Sequence, residues 1–310
     1  MCAGAGGQAL GLEKAGFSHE ALVELEPAAC ATLRLNRPAW NVVEGDLRLF
    51  QGNPYKGLDL VAGGVPCPPF SKAGKQLGAS DERDLFPEAL RLVDECRPQA
   101  VMLENVRGLL DAVFTDYRSK VEKQLRKMGY EPGWKLLNAS EFGVSQLRPR
   151  VVFVGIRKSL ASGFSWPEPS KIQPLTVGEL LHDLMKTNGW RGANRWREIA
   201  NSIAPTLVGG SKKHGGPDLG PTRAKLAWAA IGVDGMGLWD EAPPRDFVGA
   251  PRLTPRMAAR IQGFPDDWHF YGRKTAAYRQ IGNAFPPPVA SAVASQIHSA
   301  LSAKRIFKVA

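Results

Sequence analysis

Alternating strand-like and helix-like segments in the first 160 residues constrain the fold most strongly. Short apolar runs typical of buried strands occur at residues 21–23, 58–62, 100–103 and 151–156. Segments with helical spacing lie between or before them, at residues 8–15, 27–35 and 87–95. Such alternation is typical of an open, mostly parallel sheet with helices on both faces. We therefore predict an α/β fold.

The pattern changes after about residue 163. Proline, glycine and tryptophan become frequent through residue 250, and no alternation of strands and helices is visible there. Helical spacing returns from Leu253, and an alanine-rich amphipathic segment at 289–301 closes the chain. We predict a large domain over residues 1–162 and a loop-rich small domain over 163–251. A connecting region (252–279) and a C-terminal segment that returns to the large domain (280–310) follow.

The charge balance bears on the partner. Forty Lys and Arg residues against thirty Asp and Glu residues give a formal net charge of +10. A basic surplus favours a polyanionic partner, although many basic enzymes have none. No segment approaches the ~18 to 20 uninterrupted apolar residues of a membrane span, and no basic-then-apolar leader is visible. We expect a cytoplasmic protein.

Cysteine and histidine spacing argues against a structural metal or disulfides. The four cysteines are Cys2, Cys30, Cys67 and Cys96, none in a Cys-x-x-Cys pair, and the five histidines are scattered. Neither zinc-ligand spacing nor a disulfide framework is present. We therefore expect free thiols in a reducing compartment, and no metal.

A glycine-rich turn at residues 3–7 precedes the first predicted helix. Glycines let the backbone approach a nucleotide, and an acidic residue about 20 positions on, here Glu24, can accept hydrogen bonds from ribose hydroxyls. Asp46 falls where a second strand end would let a carboxylate accept from an adenine amino group. The alternatives are an ordinary tight turn and, for Asp46, a surface turn.

Cys67 lies between prolines just after a predicted strand, in the run Gly-Gly-Val-Pro-Cys-Pro-Pro-Phe-Ser at 63–71. Ligands of open α/β sheets bind at the carboxyl edge, where this turn falls. A single cysteine is most often a buried structural residue. A Pro-Cys-Pro turn after two glycines, however, suits presentation of a thiol, whereas Cys30 and Cys96 fit the structural role.

Glu104 follows the strand-like run 100–103, so it lies near Cys67 if the two strands are neighbours. A thiolate and a carboxyl group that meet in one pocket are what alkylation of a pyrimidine such as cytosine at C5 needs. The thiolate adds to C6 and makes C5 nucleophilic, and an acid at N3 stabilises the developing charge. That acid holds a proton near neutral pH only if desolvation raises its pKa. A salt bridge at the strand end is the alternative role.

Together these segments resemble bacterial DNA (cytosine-5) methyltransferases of the restriction–modification type, in order from Cys2 to about His298. The matching runs are 2–7, 64–71, 104–106, 146–150, 252–265 and 280–284. The resemblance implies a Rossmann-like methyltransferase fold plus a target-recognition domain. It also implies S-adenosylmethionine as methyl donor, with transfer to C5 of a flipped-out cytosine in duplex DNA through a Cys67–C6 bond. Glu104 would then protonate N3, Arg150 would hold the base oxygen, and Arg148 would support the site.

The resemblance further assigns binding residues. For the cofactor these are Ala3, Gly4, Gly6, Gly7, Glu24, Leu25, Asp46, Leu47, Pro66, Leu85, Asn283 and Ala284. For DNA they are Ser71, Lys72, Lys75 and Gln76, in what resembles a mobile catalytic loop, and Arg195, Arg197, Thr206, Lys212 and Lys213. Residues 190–225 carry seven basic and two acidic side chains among glycines, which suits phosphate contact. An ordinary solvated loop is the alternative.

Two departures from the family pattern concern the first motif. Cys2 stands where the family usually has a phenylalanine against the cofactor adenine. Met1 directly precedes the motif, so the hydrophobic run of a first central strand is absent from the sequence. We expect the true start to lie upstream, which would restore this strand beside the cofactor turn.

Two alternative functions are compatible with the same predicted fold. One is an enzyme acting on tRNA, although that branch's Cys-Phe-Thr element is absent from the sequence. The other is a non-catalytic DNA-binding protein, against which the intact set of Cys67, Glu104, Arg148 and Arg150 argues. We predict a monomer that acts on double-stranded DNA without membrane contact. A cognate restriction endonuclease would share the site without stable contact.

Overall fold

The computed structural model describes residues 1–66, 84–210, 216 and 218–303. Its strands are β1 (Leu22–Glu24), β2 (Val42–Glu44), β3 (Leu60–Gly63), β4 (Ala100–Val106), β5 (Tyr130–Asn138) and β6 (Pro149–Arg157). The α-helices of the first half are α1 (Gly7–Lys14), α2 (Pro27–Asn36), α3 (Phe86–Cys96) and α4 (Thr115–Lys127). Those of the second half are α5 (Val177–Met185), α6 (Ala193–Ile199), α7 (Thr222–Ala229), α8 (Pro255–Ile261), α9 (Lys274–Asn283) and α10 (Pro287–Ser302).

Four strands form the larger sheet, in the order β3-β4-β6-β5. β3 and β4 are parallel, whereas β6 is antiparallel to both of its neighbours. The connection at residues 139–148 is too short for the crossover that parallel strands need, so β5 and β6 pair as a hairpin. The sheet is therefore mixed, a difference from the mostly parallel directions that we predicted.

Helices cover both faces of this sheet. Alternate residues of β4 point to opposite faces: Val101 and Leu103 join an apolar cluster with residues of α3 and α4. Ala100 and Met102 join a second cluster with residues of α1 and α10. These apolar clusters on both faces of the sheet confirm the predicted α/β fold class. Because β3 and β4 are parallel, their carboxyl ends lie at the same edge of the sheet.

The first three residues bridge the larger sheet and the separate parallel pair β1–β2. The ammonium of Met1 donates to the carbonyl of Ala62 at 2.8 Å, and the amide of Ala3 donates to the carbonyl of Val23 at 3.1 Å. These bonds place the glycine turn at the carboxyl ends of β1 and β3. An additional strand upstream stays a prediction.

The described part of residues 163–251 contains three short helices, α5 to α7, among irregular segments. Its buried tryptophans include Trp190, Trp196 and Trp228, in a cluster that continues into α8 and α9 through Met257 and Ile281. The three helices were not predicted because each spans only about two turns, which gives little periodicity. The domain boundaries stay a prediction, since one apolar cluster crosses the boundary set at 251.

The elements read from the first half agree with the structure in type, with ends shifted by a few residues. β5 and α4 were missed. β5 carries Pro132 and Gly133, which are rare inside strands and are accommodated here because β5 is an edge strand. None of the described helices is both long and apolar enough to cross a membrane.

Candidate active site

Glu104 and Arg150 form a buried ion pair at the carboxyl end of β4. Nε of Arg150 lies 2.8 Å from Oε1 of Glu104, and the side chains are only 12% and 11% exposed. In the antiparallel register Val106 is paired with Arg150, and paired residues point to the same face. Since Glu104 lies two residues before Val106, both charged side chains leave the sheet on one face.

Burial controls the ionisation of this pair. Desolvation raises the pKa of Glu104, while the positive charges of Arg150 and Arg148 oppose the rise. Desolvation also lowers the pKa of Arg150, against the effect of Glu104. A guanidinium nevertheless keeps its proton in proteins. The pKa of Glu104 is thus raised by burial even with Arg150 beside it, and a raised pKa is the direction that a carboxyl group needs to act as an acid.

Arg148 directly precedes β6 and is 1% exposed. Its guanidinium donates to the carbonyls of Leu207 at 2.7 Å, Gly282 at 2.6 Å and Ala284 at 3.2 Å. Three backbone carbonyls from two distant segments therefore meet on one side chain. Arg148 thus joins the segment that contains Leu207 to the end of α9.

The segment after Ala204 is fixed against the strand end by further bonds. The amide of Leu207 donates to Oε1 of Gln146 at 2.9 Å. The hydroxyl of Thr206 donates to the carbonyl of Leu147 at 2.5 Å, and Nδ2 of Asn283 donates to the carbonyl of Gly210 at 3.2 Å. The described residues 206–210 are thus held beside the strand end and Asn283.

A cavity of about 240 Å³ opens beside the ion pair. Its lining includes backbone of the glycine turn, three carboxylates and one face of α9: Ala3, Gly4, Gly7, Glu24, Glu26, Glu104, Ala276, Arg279 and Asn283. Glu104 therefore faces both Arg150 and the cavity. Of the predicted cofactor residues, Ala3, Gly4, Gly7, Glu24, Asn283 and Ala284 meet here.

Glu24 shapes the glycine turn. Its Oε2 accepts the amide of Gly4 at 2.7 Å, and its Oε1 accepts the amide of Glu26 at 2.8 Å. Gly4 has a left-handed φ of +53°, and a Cβ there would meet nothing within 4 Å. This open space, at the N-terminus of α1, is a cradle for a ligand approaching the backbone.

Three predicted cofactor residues lie away from the cavity lining. Gly6 has a φ of +88°, and a Cβ there would lie 2.8 Å from side-chain atoms of Leu33 and Trp268. Leu47 is a core residue, 3% exposed. Leu25 is 60% exposed. Gly6 packs beside Leu33 and Trp268, and Leu47 packs in the core. Their role at the cofactor stays a prediction.

Three more predicted cofactor residues do not line this cavity, namely Asp46, Pro66 and Leu85. Asp46 accepts the amide of Arg48 at 2.9 Å and pairs with its guanidinium at 3.1 Å. The carbonyl of Pro66 accepts the amide of Leu85 at 3.1 Å. That bond joins the end of the described segment after β3 to the residue preceding α3.

Several predicted residues lie outside the described residues, namely Cys67, Ser71, Lys72, Lys75, Gln76, Lys212 and Lys213. Of the remaining DNA-contact predictions, Arg195 and Arg197 are exposed on α6, while Thr206 is bonded as described above. Sequence reasoning missed Arg279 and Gln280 in the cavity lining. The available signal was their helical spacing with Asn283, which puts them on its face of α9.

Comparison with known proteins identifies the family. The model of the C-5 cytosine-specific DNA methylases matches residues 1–219 and 240–299. The chain belongs to this family. It is 62% identical to the Type II methyltransferase M.NgoMIV of Neisseria gonorrhoeae, over 97% of this chain and 96% of that protein. It is 58% identical to the Type II methyltransferase M.NaeI of Lentzea aerocolonigenes, over 97% and 74% of the two chains.

A solved structure supports the fold independently. A DNA modification methyltransferase encoded within an Escherichia coli prophage superposes with a TM-score of 0.69 at 24% identity, over 97% of this chain and 98% of that one. The similarity agrees with the helix-covered sheet and confirms the Rossmann-like methyltransferase fold. Family membership makes this protein a DNA cytosine-5 methyltransferase, related to enzymes of restriction–modification systems.

The family implies S-adenosylmethionine as methyl donor, and the cavity fits it. The cradle at Gly4 admits a ligand against the backbone, and carboxylates of Glu24 and Glu26 can accept hydroxyl or ammonium donors. Among the described residues no cluster of His, Cys, Asp and Glu could hold a metal ion. The expected absence of a metal stays a prediction.

Proposed function

We propose that this methyltransferase forms a covalent bond between Cys67 and C6 of a cytosine rotated out of duplex DNA. One observation carries the proposal: a Cβ at Gly64 would lie 3.2 Å from Oε2 of Glu104. The chain leaving β3 toward Cys67 therefore runs against the acid. β3 and β4 are adjacent and parallel, with Gly63 paired to Leu103, which is the neighbour relation that the chemistry requires.

The proton and electron movements balance when a base accepts the C5 proton and S-adenosylhomocysteine leaves as the neutral thioether. The thiolate of Cys67 forms the S–C6 bond, the C5–C6 double bond gives up its π electrons, and Glu104 supplies a proton to N3. Bound S-adenosylmethionine supplies the electrophilic methyl group that C5 takes up. A base then removes the C5 proton, the double bond re-forms as S–C6 breaks, and N3 returns its proton to Glu104.

Arg150 and the recognition region have supporting roles in this proposal. With its Nε bonded to Glu104, Arg150 can turn its remaining N–H donors to the base oxygen. The cytosine must leave the helix because C5 and C6 are inaccessible in the stack. Exposed Arg195 and Arg197 are available to phosphates. We propose that the enzyme acts as a monomer in the bacterial cytoplasm, where a cognate endonuclease would share the site without stable contact.

A labelled-methyl transfer assay tests the proposal on duplex DNA with tRNA as the comparison substrate. We expect transfer to DNA alone, and near-complete loss of transfer in Cys67→Ser with retained binding of S-adenosylhomocysteine. Cys96→Ser is the matched control, because that thiol is buried beside Gly52, and it should retain activity. Normal methylation by Cys67→Ser, or transfer to tRNA in place of DNA, would contradict the proposal.

A further inference from the structure

The charges that line the cofactor cavity are unequal. Its described lining residues carry three carboxylates, on Glu24, Glu26 and Glu104, and a single guanidinium, on Arg279. S-adenosylmethionine has the opposite pattern, with a cationic sulfonium, a cationic α-ammonium and one anionic α-carboxylate. The single cation among the described lining residues thus matches the single anion of the cofactor.

Arg279 is presented to the cavity by a fixed helix. Ala276, Arg279, Gln280 and Asn283 line the cavity together, as residues at spacings of three, four and seven do on one helix face. The hydroxyl of Thr32, on α2, donates to Oε1 of Gln280 at 2.6 Å. Asn283, the last residue of α9, donates to the carbonyl of Gly210 at 3.2 Å. The face that carries Arg279 is therefore held at two points.

The guanidinium of Arg279 makes no hydrogen bond or ion pair with the part of the chain that the structure describes. Two arginines at the C-terminal end of α2 are, by contrast, ion-paired. Arg37 is bound to the carboxylate of Glu13 at 2.8 Å, and Arg34 to that of Glu44 at 2.9 Å. Arg279 is thus a half-buried arginine that lines the cavity and has unused donors. A guanidinium suits a planar carboxylate because its paired N–H groups match both oxygens.

We propose that Arg279 binds the α-carboxylate of S-adenosylmethionine and thereby fixes the amino-acid end of the cofactor. The inference rests on the proposed cofactor site and adds to it a residue that discriminates ligands with the amino-acid group from those without it. Contact with a DNA phosphate is the competing role, since Gly210 leads into the basic recognition segment. The cavity lining favours the cofactor.

Calorimetric titration of the full-length protein with two ligands tests this role. S-adenosylhomocysteine has the amino-acid group, and methylthioadenosine keeps the nucleoside and thioether but lacks it. We expect Arg279→Gln to weaken S-adenosylhomocysteine binding about tenfold to a hundredfold, the range for a charged hydrogen bond, and to leave methylthioadenosine binding within about twofold. Arg279→Lys should restore part of the loss. Arg273→Gln, at the exposed residue directly before the same helix, is the matched control and should bind both ligands normally.

The other outcomes separate the explanations. Equal weakening of both ligands would show a merely structural effect and overturn the proposal, as would unchanged binding of both. Loss of affinity for duplex DNA measured without cofactor, at unchanged S-adenosylhomocysteine affinity, would assign Arg279 to a phosphate instead. If the unmodified protein bound neither ligand, the proposed cofactor site itself would be wrong, a result distinct from failure of the Arg279 assignment.

Discussion

The catalytic pocket and the recognition region bury opposite kinds of side chain. In the pocket, Glu104 and Arg150 are buried as an ion pair. In the recognition region, Trp196 and Trp228 fill the interior, while cations such as Arg195 stay exposed. The pocket thus holds charges where low dielectric strengthens them. In residues 163–251, by contrast, Arg195 and Arg197 stay exposed to solvent.

The two regions are nevertheless joined through α9. Its residues Tyr278 and Ile281 belong to the tryptophan-rich cluster, while Arg279 and Asn283 line the cofactor cavity. Arg148 adds a polar junction between Leu207 and the end of this helix. One helix therefore lines the cavity and packs in the tryptophan-rich cluster, and the predictions below separate its chemical and structural roles.

The largest expected effect comes from Glu104→Gln, which removes the acid and keeps the side-chain shape. We expect the methyl-transfer rate constant to fall about 10²- to 10⁴-fold, the usual contribution of a general acid, with binding of S-adenosylhomocysteine retained. Single-turnover kinetics and calorimetry measure the two. Glu88→Gln, which removes the partly exposed ion pair of Glu88 with Arg91 on α3, is the control. An active Glu104→Gln enzyme would remove the pocket's chemical role.

The raised pKa of Glu104 also predicts a pH dependence. The rate should fall as pH rises through this pKa, because the protonated form donates. A folded-state pKa above the unfolded value stabilises the fold fully below the unfolded value, and this contribution is lost as pH rises through the folded value. The unfolding free energy of the enzyme minus that of Glu104→Gln should therefore decrease with rising pH. An increase would contradict the burial argument.

Trp228→Ala tests the apolar side of the comparison. Trp228 is fully buried, so its truncation should cost about 3 to 5 kcal/mol of stability, measured by urea unfolding. Leu226→Ala on the same helix, α7, is the control because Leu226 is 66% exposed, and it should cost less than about 1 kcal/mol. Equal costs for both variants would show that the tryptophan cluster does not stabilise the region.

Arg148→Met tests the junction itself. The carbonyls of Leu207 and Gly282 would lose their charged donor, at about 2 to 4 kcal/mol in total, and affinity for S-adenosylhomocysteine should fall because residues 282–284 shift. Arg157→Met is the matched control. Arg157 also donates to backbone carbonyls, of Pro98 and Met128, but outside the junction. Equal loss of cofactor affinity in both variants would argue against a specific role for Arg148.

Sequence patterns predicted the pocket better than the recognition region, for physical reasons. Glu104 follows the wholly apolar residues 100–103 of β4, so its position near the carboxyl end of this strand could be read directly. The distinct role of Arg148 could not, because its partners Leu207 and Gly282 are backbone carbonyls far along the chain. Such bonds leave no side-chain pattern in the sequence.

Other features of the structure could not be read from the sequence for similar reasons. Leu47 follows the motif position of a cofactor contact, and its side chain packs in the core, so its role at the cofactor stays a prediction. Arg279 was overlooked because its cavity exists only once α9 packs against α2 through Gln280 and Thr32. The helices α5 to α7 are stabilised by tertiary burial of tryptophans more than by local periodicity.

The most direct measurement of the central claim is peptide mapping of a trapped enzyme–DNA adduct. Duplex DNA with 5-fluorocytosine at the target cannot release a C5 proton, so the S–C6 bond should persist once the methyl group has been transferred. Mass spectrometry should find the DNA on the peptide containing Cys67, in a reaction that requires S-adenosylmethionine and proceeds in Cys96→Ser. An active enzyme that forms no adduct, or an adduct on another residue, would contradict the account.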